Sequence, residues 1–121
     1  FGDEPILDKI YKSAYKNHPM TVWVRENDAN MMWAVLHGLT IGKEYTYRYG
    51  KDHKSTAILK NIAEYMFHDN FDEDYTLHTT PPQCMPDEFK RLDYVDAYRA
   101  YYRTDKAHIL NWTNRQQPDW I

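Results

Sequence analysis

The sequence predicts an all-α protein: a compact, single-domain helical bundle, mainly helical and interrupted by one long irregular, proline-containing loop. Three observations carry that expectation. Apolar residues recur at helical spacing in four separate stretches. Cap-forming side chains stand before several of them, and a glycine follows the longest. Pro81, Pro82 and Pro86 fall together in the one stretch without a helical period.

The elements follow in order. Pro5, behind Asp3 and Glu4, suits a helix start, because proline is tolerated in the first turn and acids favour the positive end of the dipole. Ile6, Leu7, Ile10, Tyr11 and Ala14 then predict an amphipathic helix over 5–16. Asn17-His18-Pro19 ends it, since the residue before a proline is pushed out of the α region. Residues 20–24 read as an extended link or a short strand. Asn27 or Asp28 caps the longest helix, with Met32, Trp33, Leu36, Leu39 and Thr40 as its buried stripe and Gly50 as its left-handed stop. Gly38 and Gly42 weaken that helix unless they permit close packing. Ser55 caps a third helix carrying Ile58, Leu59, Ile62, Ala63 and Met66 on one face. Residues 69–87 form the irregular loop, opening on the acidic turn 69–74. Asp93 starts a last helix that runs through Tyr98, Tyr102 and Lys106 to Trp112, and residues 116–121 form an extended tail anchored by Trp120.

Length and composition narrow the function. The 121 residues fit one domain. The single cysteine, Cys84, allows no intrachain disulfide and suggests a reducing compartment, the cytoplasm. No apolar run reaches the roughly 18 residues of a membrane helix, and residues 1–8 lack a signal-peptide pattern, so no membrane partner is expected. The first residue is Phe1, which points to a trimmed chain or one piece of a longer product. The net charge of -3 argues against indiscriminate nucleic-acid binding, but it is unevenly spread. Residues 1–60 hold nine Lys/Arg against seven Asp/Glu, residues 61–92 two against seven, and residues 93–121 four of each. A basic face outside the acidic centre is therefore allowed.

Two segments interleave cations with aromatic rings. Glu44-Tyr45-Thr46-Tyr47-Arg48-Tyr49-Gly50-Lys51-Asp52-His53 is the denser. One helical turn separates Glu44 from Arg48, and Tyr45 from Tyr49, so each pair can interact. Charge that follows phosphates and rings that stack on bases are what single-stranded nucleic acid needs. The same pattern also describes a surface ion pair with tyrosines bridging core and solvent. In the last helix Arg99, Arg103 and Lys106 share one face beside Tyr102, with His108 and Arg115 beyond, either a phosphate-binding row or an ordinary solvated face. A third group, His18, Arg25 and Glu44 with Trp23 nearby, supplies acid–base and anion-binding chemistry if a cleft brings it together. The six histidines and one cysteine show no paired metal-ligand spacing, and no metal or cofactor is expected. No phosphate-cradling loop, serine elbow or dinucleotide fingerprint occurs.

Several of these segments resemble one family: Asn17-His18-Pro19, Val22-Trp23-Val24-Arg25-Glu26, the run from Glu44 to Lys51 with His53-Lys54-Ser55, Pro81-Pro82-Gln83, Met85-Pro86-Asp87-Glu88, Tyr98-Arg99, Tyr101-Tyr102, Asp105-Lys106-Ala107, Trp112 and Asn114-Arg115. The family comprises small, uncharacterised proteins of tailed phages, cyanophages among them, and of marine bacteria, and the resemblance covers residues 15–121. Its members carry a further N-terminal segment with an Asp-Lys-His-Val-like stretch that this sequence lacks. The resemblance implies the cytoplasm of an infected or host bacterial cell. In layout the chain is remotely similar to pyrimidine-dimer DNA glycosylases of the endonuclease V type, all-helical proteins with a His-containing turn, a long central helix and an aromatic, basic C-terminal stretch. His18-Pro19, the helix from Asp28 to Tyr49, and Trp112 to Trp120 occupy comparable places. In that family the nucleophile is an N-terminal amine supported by groups on the first helix, and no residue here takes that role.

The expected function is a phage-encoded DNA-binding or DNA-processing protein, glycosylase-like in fold. Arg25, Arg48, Lys51, His53, Arg99, Arg103, Lys106 and Arg115 would hold phosphates, while Tyr47, Tyr49, Tyr102, Trp23 or Trp112 would stack on a base. Glu44 is the candidate acid or base and His18 its support. Two alternatives stay open: a small module binding a host or phage protein, with Tyr and Trp as anchors, and a small-molecule or nucleotide enzyme built on His18, Arg25 and Glu44. The sequence leaves the oligomeric state open.

Overall fold

The computed structural model describes residues 15–68 and 77–121. Residues 5–14 of the helix expected over 5–16, and the acidic turn 69–74, lie outside them. The described residues are helical and contain no strand. They fall into two compact units that divide between Thr79 and Thr80.

The first unit holds three helices: α1, Pro19–Arg25; α2, Asp28–Tyr49; and α3, Lys54–His68. Helix α1 replaces the extended link expected over 20–24. His18 adopts an extended backbone and its ring Nδ1 accepts from the Met20 amide at 3.1 Å, while Pro19 fills the first helical position. Proline has no N–H to leave unpaired there, so a residue expected only to stop a helix starts one. Tyr15 and Lys16, placed in the preceding helix by spacing, lie outside any helix, and Tyr15 has φ 51°.

Asn27 is the cap of α2, its side chain accepting from the Asn30 amide, and Gly50 ends the helix at φ 69°, its amide bonded to the Thr46 carbonyl. The buried stripe is shifted from the expected one. Met32 and Val35 face the core with Met31, Leu36 and Leu39 against them, while Thr40 is exposed and turns its hydroxyl back to the Leu36 carbonyl. Gly42 lies on the buried side. A glycine contributes nothing to a count of apolar side chains, which is why the stripe's centre was displaced in the sequence.

Helix α3 supplies Ala63, Met66 and Ile62 to the same core. A Cβ on Gly42 would sit 2.6 Å from the Thr56 hydroxyl oxygen, and one on Gly38 2.7 Å from a Leu59 methyl. The glycines thus let α2 and α3 approach closely, which offsets their low helix propensity. The cap of α3 is the His53 ring rather than Ser55: its Nδ1 accepts from the Ser55 amide at 3.0 Å.

The second unit runs from Thr80. A 3₁₀ turn over Asp87–Phe89 precedes α4, Tyr94–Thr104, and a second turn covers Ala107–Ile109. Asp93 caps α4 as expected, accepting from the Val95 amide. The helix then stops at Thr104 rather than continuing to Trp112. Ala97, Ala100 and Phe89 are buried, and Phe89 meets Tyr101 at 5.4 Å between ring centroids. The irregular stretch is pinned by side chains. The Tyr98 hydroxyl donates to the Pro82 carbonyl and accepts from the Cys84 amide, and the Gln83 carboxamide pairs with both the N–H and C=O of Arg91.

Candidate nucleic-acid interface

Where α2 stops and the chain turns into α3, the cations and rings of the densest segment separate into two groups. Tyr45 and Tyr49 lie one turn apart with centroids 4.8 Å from each other, and the edge of His53 closes on Tyr45 at 4.9 Å. With its Nδ1 accepting a backbone hydrogen, His53 keeps only Nε2 as a donor to a ligand. Tyr47 points elsewhere and is 58% exposed; Tyr49 remains 47% exposed despite its stacking. The Thr46 hydroxyl lies 2.9 Å from the Asp52 carboxylate, which ties the turn to the helix end.

The expected ion pair is present, Arg48 Nε to Glu44 at 2.7 Å. Only 18% of the Arg48 side chain is accessible, and Glu44 offsets its charge, so Arg48 is a weak phosphate contact as placed. Lys51 is exposed. Lys43 is exposed too, one turn before Tyr47; the sequence reading missed it, although the i,i+4 spacing was there to find. Lys43 and Tyr47 thus share one side of α2, while Tyr49, two residues on, lies with Tyr45 and His53 on another, and Lys51 follows the helix end.

His18, Arg25 and Glu44 do not form a cleft. His18 caps α1, and the Arg25 guanidinium donates to the Lys16 carbonyl. The α1 end is fastened to α2 at Asn30, whose Nδ2 donates to the Trp23 carbonyl. Glu44 lies ~21 Å further along α2 at 1.5 Å per residue. Trp23 is only 4% exposed, so its ring has no open face for a base.

A buried hydrogen-bonded group around Asn30, to which no local pattern in the sequence points, lies in the same unit. Asn30 is fully buried, and its Oδ1 accepts from the Thr79 amide at 2.9 Å. The Thr79 hydroxyl accepts from Trp23 Nε1 at 2.8 Å and from Asn30 Nδ2 at 3.1 Å. Around this network Trp33 meets Trp23 edge-on at 5.2 Å, His37 stacks flat on Trp33 at 4.9 Å, and His78 lies 5.8 Å from Trp33. Among the described residues no buried side-chain polar atom lacks a partner, and this network acts as a structural clamp.

In the second unit the expected row of cations is broken by the helix end. Arg99 and Arg103 stay on α4, while Lys106 lies beyond it with its Nζ 5.5 Å from the Tyr101 ring centre. Arg103 donates to the Trp120 carbonyl at 3.2 Å, and the Arg99 guanidinium carbon lies 5.5 Å from the centre of the Trp120 ring. Trp120 thus anchors the tail as expected. Tyr102 is 37% exposed beside Tyr101, whereas Trp112 is half-buried and starts a turn closed by the Arg115 amide. Burial, first, holds the Tyr98 phenol above its ordinary value of 10.0, and the neighbouring Cys84 thiol adds to the rise.

Among the described residues no group of three or more His, Cys, Asp or Glu is placed to hold a metal, and no helix is long and apolar enough to cross a membrane. Comparison with protein-family profiles, with curated proteins and with solved structures finds no match to this chain.

Proposed function

We propose that this protein binds nucleic acid through the end of α2, taking single-stranded or locally unstacked bases. The observation that carries this reading is the exposure of Tyr47 one turn from the exposed Lys43, with Tyr49 and Lys51 also exposed at the end of the same helix. Exposed rings offer faces on which bases stack, and ammonium groups on the same helix end supply the attraction for phosphates that stacking alone lacks. The phage-family resemblance of the same segment supports a DNA-binding or DNA-processing role during infection, and the glycosylase-like layout supports base excision as its finer form. In that form Glu44, held next to the interface by Arg48, is the carboxylate available for proton transfer. His18, serving as the α1 cap, has no part in it.

A salt titration of binding to labelled single- and double-stranded DNA tests the reading. Affinity for the single strand that falls steeply with salt, and falls again in Tyr47→Ala and in Lys43→Ala/Lys51→Ala, supports it. Equal or absent binding by the parent and these variants at low salt rejects it in favour of a protein partner, for which the exposed Ile41 and Tyr47 would be anchors.

A further inference from the structure

We infer that residues 116–121 are a built-in competitor for the arginine face of α4, occupying the place of one nucleotide. The inference rests on the nucleic-acid reading above and extends it to regulation. Arg99 and Arg103 are one turn apart on α4 and both exposed, with Tyr102 between them and Asp96 the acid on the same helix. Two guanidinium groups so placed offer a flat surface for a ring and donors for an oxyanion. The tail fills both positions. The Trp120 indole lies under Arg99, where a base would stack, and the Trp120 carbonyl accepts from Arg103, where a phosphate oxygen would bind.

The tail is held in register for this by its own turn, the Ile121 amide bonding to the Pro118 carbonyl. A neutral carbonyl is a poorer acceptor for guanidinium than a phosphate oxygen, so an incoming strand has the stronger claim on Arg103. The indole contact on an exposed cation is weak, and the half-buried Trp120 leaves with little rearrangement of α4. The contact therefore lowers affinity without abolishing it. A tail docked about nine-tenths of the time lowers apparent affinity for a ligand of this face about 10-fold.

The test is the affinity of the full chain and of Trp120→Ala for a labelled oligothymidylate, each titrated with salt. Release of the tail is expected to raise affinity about 10-fold and to steepen the salt dependence by about 0.7, for the one single-strand phosphate contact that Arg103 gains. Arg99→Ala/Arg103→Ala in the Trp120→Ala background is expected to remove the whole gain. Trp120→Phe, which keeps a ring under Arg99, is expected to behave like the parent. A parent that binds while Trp120→Ala binds equally or less tightly overturns the inference and leaves the α2 interface standing. Failure of every variant to bind overturns both.

Discussion

The amide and hydroxyl of Thr79 both lie against the carboxamide of Asn30, at 2.9 Å and 3.1 Å, across 49 residues of chain. The same Asn30 side chain donates to the last turn of α1, so one buried group fastens α1, α2 and the chain that follows α3. Asn30→Ala removes every one of these bonds and leaves the Thr79 amide without its partner, while the Trp23 carbonyl keeps the Glu26 amide. The expected cost is about 2–4 kcal/mol, read as a lower denaturant midpoint at unchanged slope. A midpoint equal to that of the parent would show that the clamp is dispensable.

The two glycines of α2 and the Gly50 that ends it predict an order of sensitivity. Gly42→Ala drives a methyl against Thr56, which is short, branched and buried, and is expected to cost about 1–3 kcal/mol even after the gain in helix propensity. Gly38→Ala meets the end of a flexible leucine and is expected to be nearly neutral. Gly50→Ala meets nothing within 4 Å, yet at φ 69° it costs about 1–2 kcal/mol in backbone strain. Thermal unfolding of the three variants checks the ranking, and a Gly42→Ala protein more stable than Gly38→Ala would refute it.

At the interface the ion pair sets a contrast. Lys51→Ala is expected to reduce the salt slope for single-stranded DNA by about 0.7, and Tyr47→Ala to lose about 1–3 kcal/mol of binding with the slope intact. Arg48→Ala is expected to change the slope least of these cations, because Glu44 already neutralises it. A slope that responds to Arg48 more than to Lys51 would relocate the phosphate path.

Tyr98 predicts an alkaline limit for the second unit. Its folded value is raised above 10.0, so its contribution is fully present at lower pH and is lost as pH rises through the folded value. Ionisation removes the hydrogen that the phenol donates to Pro82. Stability is expected to fall from about pH 10 upward in the parent, and this fall is expected to shrink in Tyr98→Phe. Parallel pH profiles for the two proteins would exclude Tyr98 as the cause.

Much of the helical layout was legible because its signals are local. Asn27, Asp93 and Gly50 act within four residues of themselves, and their roles can be read from residue type and position. Pro19 misled because the sequence shows a proline but not that the His18 ring would cap the helix it begins. The end of α4 was overrun because Tyr98, Tyr102, Lys106 and Ile109 keep a helical rhythm past the point where the backbone turns. Glu44 and Arg48 were legible as a pair, being a turn apart. Thr79, by contrast, gives no hint that its partner stands 49 residues earlier, and only the fold reveals that Trp23 is buried rather than offered to a base.

The placement of the indoles has one more consequence. Trp23 and Trp33 belong to the first unit and Trp112 and Trp120 to the second, so the four tryptophans divide into two pairs. Replacing one pair by phenylalanine leaves a protein whose intrinsic emission is tryptophan light from a single unit. The buried, hydrogen-bonded Trp23 gives the first pair a blue component, and the Arg99 contact makes Trp120 sensitive to the departure of the tail. The molecule thus carries its own two-channel optical label, one channel for the helical clamp and one for the C-terminal segment.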